Sequence, residues 1–172
     1  YHTIEIDSVI GKEIPRIDCS NDAAVALEKA VVRISSELFR IVLTLANGNY
    51  SGFPLGQKIF CYTDCSHPDG RRFCILSALN RQVVLQAVTL LFSSKQTEID
   101  ELVLSAIEEL SAMLAIHFVR NYQNGDFFHV DCVKILDEKQ LAKTLPSHEP
   151  LCSLLFDSVH GAFLHRVWDF PR

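Results

Sequence analysis

The sequence predicts an α+β fold, with two or three helices packed on an antiparallel or mixed β-sheet. Three observations carry this. Two long stretches, 22–46 and 99–122, repeat apolar residues at helical spacing. Ser66-His67-Pro68-Asp69-Gly70-Arg71 joins two β-prone runs through specific turn chemistry, and 151–170 reads as a second hairpin.

In chain order, residues 1–9 alternate, with Ile4 and Ile6 on one face and Thr3, Glu5 and Asp7 on the other, so they predict a short half-exposed strand. Ile14-Pro15-Arg16 breaks it. Ser20, Asn21 or Asp22 can cap a helix running to about Ala46, along which Leu27, Val31, Ile34, Leu38, Ile41 and Leu45 keep helical steps. Asn47-Gly48-Asn49 ends that helix, and Ser51 to Gln57 is a loop. The hairpin pairs Lys58–Cys65 with Arg72–Ala78. Asn80 then caps a helix to about Phe92, with Val83, Val84, Ala87, Leu90 and Leu91 inward. Phe127 to Leu136 is a strand, Asp137 to Leu145 a short polar helix or turn, and Pro146 and Pro150 bracket a loop. Leu151–Asp157 and Ala162–Phe170 form the closing hairpin around Ser158 to Gly161.

The central element is Ile99 to Tyr122. Val103, Ile107, Leu110, Leu114 and Phe118 form one apolar stripe, a core face that also takes in His117. Glu101, Ser105, Glu108, Glu109, Ala112, Ala115 and Ile116 fall opposite, so the outer face begins acidic and ends apolar. Its last two turns are therefore either covered by another part of the chain or offered to a partner. Thr97 and Asp100 resemble a capping-box start, and Gln123-Asn124-Gly125 a stop.

At 172 residues, with 48% hydrophobic and 22% charged residues, the chain is expected to be one domain with a substantial core. The net charge of -5, without basic runs, argues against nucleic acid, and no uninterrupted apolar run is long enough to predict a membrane span. Residues 1–20 lack the pattern of a signal peptide, and a start at Tyr1 is compatible with an upstream portion outside this sequence. The six cysteines, Cys19, Cys61, Cys65, Cys74, Cys132 and Cys152, mostly sit in apolar runs, which fits free thiols in a reducing cytoplasm; three disulfides would allow fifteen connectivities. Cys61, Cys65, His67 and Cys74 are a weak zinc candidate. Their spacing fits no common knuckle, and cysteines four apart on a strand stand about 13 Å apart. Cys74, beside Arg71 and Arg72, is the nearest thing to a nucleophilic thiol. Neither His160 with His165 nor His129 with Asp131 suggests a metal site, and no cofactor motif is present.

The hairpin, the helix pair with a glutamate on the outer face of its second member, the next strand, and the closing Phe156–Gly161–Phe163 pattern together resemble the CheC/CheX-like family of chemotaxis phosphatases. The resemblance covers roughly 23–170, leaving 1–22 as N-terminal strand and linker in a single CheX-like domain over 1–172. It implies removal of the phosphoryl group from the aspartyl-phosphate of a CheY-type response regulator, by a helix bearing an acidic or Ser residue, then Glu, then Asn, at i, i+4 and i+7. The Glu engages a regulator lysine, the Asn orients the attacking water, and any magnesium belongs to the regulator. These positions here are Ser105, Glu109 and Ala112. A methyl group cannot hold a water. Ile116 also replaces the family's usual glycine, and the strand 127–136 lacks its frequent proline.

The expectation is therefore a cytoplasmic signalling or interaction domain that is not an efficient enzyme. Its partner would be a response regulator or a second copy of itself, docked through Glu101, Ser105, Glu108, Glu109, Ala112 and Ile116 or through a sheet edge. Two alternatives stay open: an active phosphatase using Glu109 with Ser105 or Ser111, and a small-ligand sensor with an apolar pocket lined by several of the eleven phenylalanines.

Overall fold

A computed structural model describes residues 21–40, 43–54, 56–123 and 127–170. The predicted strand at 1–9 and Cys19 lie outside these residues. The first helix, α1 (Asp22–Ile34), starts where Asn21 Oδ1 accepts the Ala24 amide at 3.1 Å. The amide group of Asn21 also donates to Leu151 O at 2.9 Å, fixing the helix start to the entry of a later strand.

The helix does not run to Ala46. It widens into a π-helical turn at Ser35–Phe39 and stops at Arg40, whose φ of +53° is left-handed. Leu43 and Leu45 are buried, but Leu45 belongs to β1 (Thr44–Asn47) and pairs with Phe156. A four-residue apolar step fits one face of a strand as well as a helix. Here a β-rich local sequence and pairing to another strand decide for the strand.

The predicted hairpin is β2 (Ile59–Ser66) with β3 (Arg72–Leu79), in register from Ile59↔Leu79 to Ser66↔Arg72. Gly70, at φ +96°, lets its amide reach His67 O at 2.9 Å, and the His67 amide reaches Arg71 O at 2.9 Å. Next come α2 (Arg81–Phe92), α3 (Glu101–Gln123), β4 (His129–Leu136), α4 (Glu138–Thr144), β5 (Cys152–Ser158) and β6 (Gly161–Phe170). Asp137 and Gln140 form a full capping box on α4.

The sheet has six strands in the order β1-β5-β6-β3-β2-β4, with every neighbouring pair antiparallel. The closing hairpin lies at its centre, with β6 joined to β3. The first three helices cover one face, over Leu27, Ile75, Val84, Ile107, Phe118, Phe156 and Val167. On the other face Phe60, Tyr62, Leu76, Leu164 and Trp168 pack beneath Leu141 of α4 and the loop bearing Phe53. Arg166 holds that loop. Its guanidinium donates to Gly52 O (2.6 Å), Tyr50 O (3.2 Å) and Ser153 Oγ (2.9 Å), and lies 4.9 Å from the Phe53 ring centre.

By length and composition Glu101–Tyr122 is apolar enough to cross a membrane. In this fold its apolar stripe faces the sheet and α1, as the core helix of a globular protein does.

In α2 the fully or nearly buried residues are Val84, Leu85 and Val88. Val83 and Leu91 pack at the margin of the core rather than inside it. Asn80 Oδ1 accepts the Val83 amide at 2.8 Å, while its Nδ2 donates to Ala162 O at 3.1 Å. One side chain thus starts the helix and ties it to β6. Asn80→Ala is expected to cost about 1–2 kcal/mol in urea denaturation. Asn80→Asp keeps the cap oxygen, loses the donor, and should fall between that variant and the wild type.

Candidate functional site

The predicted site lies on α3, and the helix start fixes its phase. Asp100 provides the cap: its Oδ1 accepts the Val103 amide at 2.9 Å, and its carbonyl accepts the Leu104 amide at 3.0 Å. Thr97 lies outside the cap and uses its carbonyl to accept from Arg81 Nη2 at 2.7 Å. Val103, Ile107, Leu114 and Phe118 are then buried and Leu110 packs beside them, as the stripe requires.

Of the residues expected on the outer face, Glu101, Ser105 and Glu109 are exposed, and Glu108, Ala112 and Ile116 are half-buried. Ala115 is not on that face: it is fully buried. The helix is enclosed through more than its core stripe, because β2 and β4 lie along one flank and α1 along another. His117 is half-buried beside Arg33 and Arg120 rather than in the core, and partial burial together with those two cations lowers its pKa.

Leu102 is 55% exposed and Met113 36%. Sequence reasoning passed over both. They lie about three turns apart on the side that carries Ser105 and Glu109, so the face is apolar at both ends with one carboxylate between. An apolar residue outside the stripe, recurring on one side of an amphipathic helix, was the available signal.

The chemistry of this face is narrow. Ser105 and Glu109 are one turn apart, and the next position on the same side is Ala112. Ser111 cannot replace the missing polar group, because it is buried with its hydroxyl against the Cys61 thiol. The Asn121 carboxamide is also engaged, donating to Ala26 O of α1 at 3.4 Å. The face can receive a cation at Glu109 and apolar groups at Leu102 and Met113.

The remaining candidates separate in space. Cys61 and Cys65 point into the helix-covered face of the sheet and Cys74 into the opposite face, so they do not converge on one ion. His67 is in the turn, with Nδ1 2.9 Å from Asp69 Oδ1 and its ring packed on Phe127 and Phe128. No group of three His, Cys, Asp or Glu side chains among the described residues could hold a metal. Burial pushes Cys61 up to about 11, and Cys65, Cys74 and Cys152 up to about 12. Cys74, fully buried despite Arg71 and Arg72 nearby, is therefore no nucleophile at neutral pH. His129 Nε2 lies 3.2 Å from Asp131 Oδ1 on the outer strand β4. His160 is exposed in the last turn, whereas His165 is buried with Nδ1 2.8 Å from Ser77 Oγ.

Two measurements follow from these environments. Brief alkylation of the native protein at neutral pH, mapped by peptide mass spectrometry, should modify half-buried Cys132 well before Cys61, Cys65, Cys74 or Cys152. Burial also lowers His165 from 6.5 to about 4. Between those values the unfolded chain binds the extra proton, so the stability contribution is fully present above the higher value and is lost as pH falls toward the lower. The stability of wild type relative to His165→Phe should fall by about 3 kcal/mol across that window. A difference that stays flat there contradicts the assignment.

No protein-family model and no curated protein sequence matches the chain. Solved structures do. A CheC-like superfamily protein from Shewanella sp. PV-4 superposes with a TM-score of 0.69 at 12% identity, over 87% of this chain and 98% of that one. The chemotaxis protein CheX from Vibrio vulnificus gives 0.68 at 10% identity, over 84% and 97%. The CheX–CheY–BeF3–Mg2+ complex from Borrelia burgdorferi gives 0.67 at 10% identity, over 88% and 99%. The six antiparallel strands and the helices packed on them, matched along nearly the full length of these structures, give this chain the CheC/CheX-like fold.

Proposed function

We propose that this chain is a cytoplasmic chemotaxis-type signalling domain that docks a CheY-type response regulator on the outer face of α3 and does not dephosphorylate it. The supporting observation is the composition of that face. Exposed Leu102 and Met113 flank Ser105 and Glu109, and the position one turn beyond Glu109 is Ala112. Apolar groups around one charge suit a docking surface, in which the charge sets orientation and the apolar contacts supply affinity. The CheX–CheY complex among the structural neighbours supports the class of partner. Magnesium would belong to the regulator.

Catalysis by Glu109 alone is the weaker reading. Phosphoryl transfer to water requires the water to be held in line, and neither Ser111 nor Asn121 is turned toward Glu109 to hold it. A second copy of this chain is the other candidate partner, since β1 and β4 end the sheet among the described residues.

The test is a binding titration against a CheY-type regulator, run beside its loss of aspartyl-phosphate. Wild type should bind and leave the rate unchanged. Glu109→Arg and Met113→Asp should each weaken binding roughly tenfold, about 1.4 kcal/mol. Ala112→Asn should raise the rate of phosphate loss on the order of tenfold, by restoring a carboxamide on the face of Glu109. Acceleration by wild type that is lost in Glu109→Ala would overturn the silent assignment. Concentration-dependent self-association without regulator binding would favour the second copy.

A further inference from the structure

A cavity of about 120 Å³ lies beneath the helices, between α1, α2, α3 and the sheet. Its walls are apolar, formed by Val31, Ile34, Val84, Leu110, Leu114 and Phe163. Its polar side is formed by Ser77 and His165 on the paired strands β3 and β6, with Ser111 near them. Phe156 and Phe163 fix the His165 ring, each edge-on to it with centres 6.0 and 5.5 Å away. This site is separate from the outer face of α3 and does not depend on the function proposed for that face.

The hydrogen bonding of His165 is half complete. Nδ1 is 2.8 Å from Ser77 Oγ, and Nε2 has no partner among the described residues. The described side-chain atoms that are both fully buried and unpartnered are Gln57 Oε1 and Asp64 Oδ1, so His165 Nε2 retains access to space. The residue is 8% exposed and lines the cavity. A buried ring nitrogen facing an apolar chamber is the kind of polar group that orients a ligand.

We infer that this cavity binds a small neutral molecule with an apolar body and one hydroxyl, of the size and class of a phenol, with the hydroxyl paired to His165 Nε2. Size sets the scale: the cavity is somewhat smaller than an apolar one of about 150 Å³ that accepts benzene, and its open mouth leaves room for a ring with one small substituent. Charge sets the class. No Lys or Arg lines the cavity, so a carboxylate or phosphate would be buried without a counter-ion. A hydroxyl both donates and accepts, and so pairs with Nε2 whichever ring nitrogen carries the proton. Half-exposed Gln86 of α2 and exposed His160 of the β5–β6 turn line the cavity and mark its mouth.

The test is titration of the whole chain with phenol, followed by the imidazole resonances of His165 and by thermal stability, with benzene as the probe lacking a hydroxyl. Phenol should shift the Nε2 resonance saturably and raise Tm, and benzene should bind about tenfold more weakly, as expected for loss of one neutral hydrogen bond. Ala87→Trp, which fills the chamber from α2, should abolish both responses. Equal affinity for phenol and benzene would overturn the role of His165. An unmoved His165 resonance at saturating phenol, or undiminished binding in a folded Ala87→Trp variant, would overturn the site. The ligand comparison in the wild type stands even if the variant does not fold.

Discussion

Both faces of the two central strands have to be kept from water. In β3 every residue after Arg72 is buried, and in β6 the run from Phe163 to Trp168 is buried without a break. A strand buried on both sides needs cover on both sides, and the chain supplies two unlike covers. The helices α1, α2 and α3 make a regular layer on one face. The opposite face has one two-turn helix and an irregular loop, whose exposed backbone carbonyls call for partners. Arg166 provides them. It is a cation held at 8% exposure by three hydrogen bonds and an aromatic ring, and its desolvation is offset because it closes a loop that could not pack by itself.

The same constraint determines what α3 can do. As the long helix laid across the sheet, it gives most of its circumference to packing, including Ser111 and Ala115, and only a strip around Glu109 remains. Whatever this helix does for function it does with that strip. Between the exposed Leu102 and Met113 that strip carries one carboxylate, Glu109, and one hydroxyl, Ser105. The contrast with the interior is instructive: the more specific polar arrangement, His165 on Ser77, lies below the helices rather than on them.

Elements specified by local chemistry were legible in the sequence. The Pro-Asp-Gly turn, the caps at Asn21 and Asn80, and the closing hairpin all depend on residues within a few positions of one another. Features decided by distant pairing were not. The helix predicted to Ala46 ends early because Leu45 meets Phe156 across a strand pair. In β4, Val130 and Val133 both pack on the core although three residues apart. The register with β2 shifts at Asp64, where Cys132 and then Val130 are matched, leaving Asp131 as an extra residue. The cavity was equally hidden, since Ser77 and His165 are 88 positions apart. The outer strip of α3 was half legible: helical phase placed Ser105 and Glu109, but not the exposure of Leu102 and Met113.

The place of β6 bears on how the molecule is made. It is the last strand in sequence and one of the two central strands of the sheet. During synthesis all four helices, the β2–β3 hairpin, β4 and β5 emerge before the strand that completes the sheet. Through that interval β3, apolar but for Arg72 and Ser77, presents an open edge, the kind of surface that pairs with other chains. Pairing β3 with β6 joins residues 86 to 98 positions apart, about half the chain, a topology associated with slow folding. Recovery of this protein from a cell would therefore follow chaperone supply and growth temperature more closely than the stability of the finished fold.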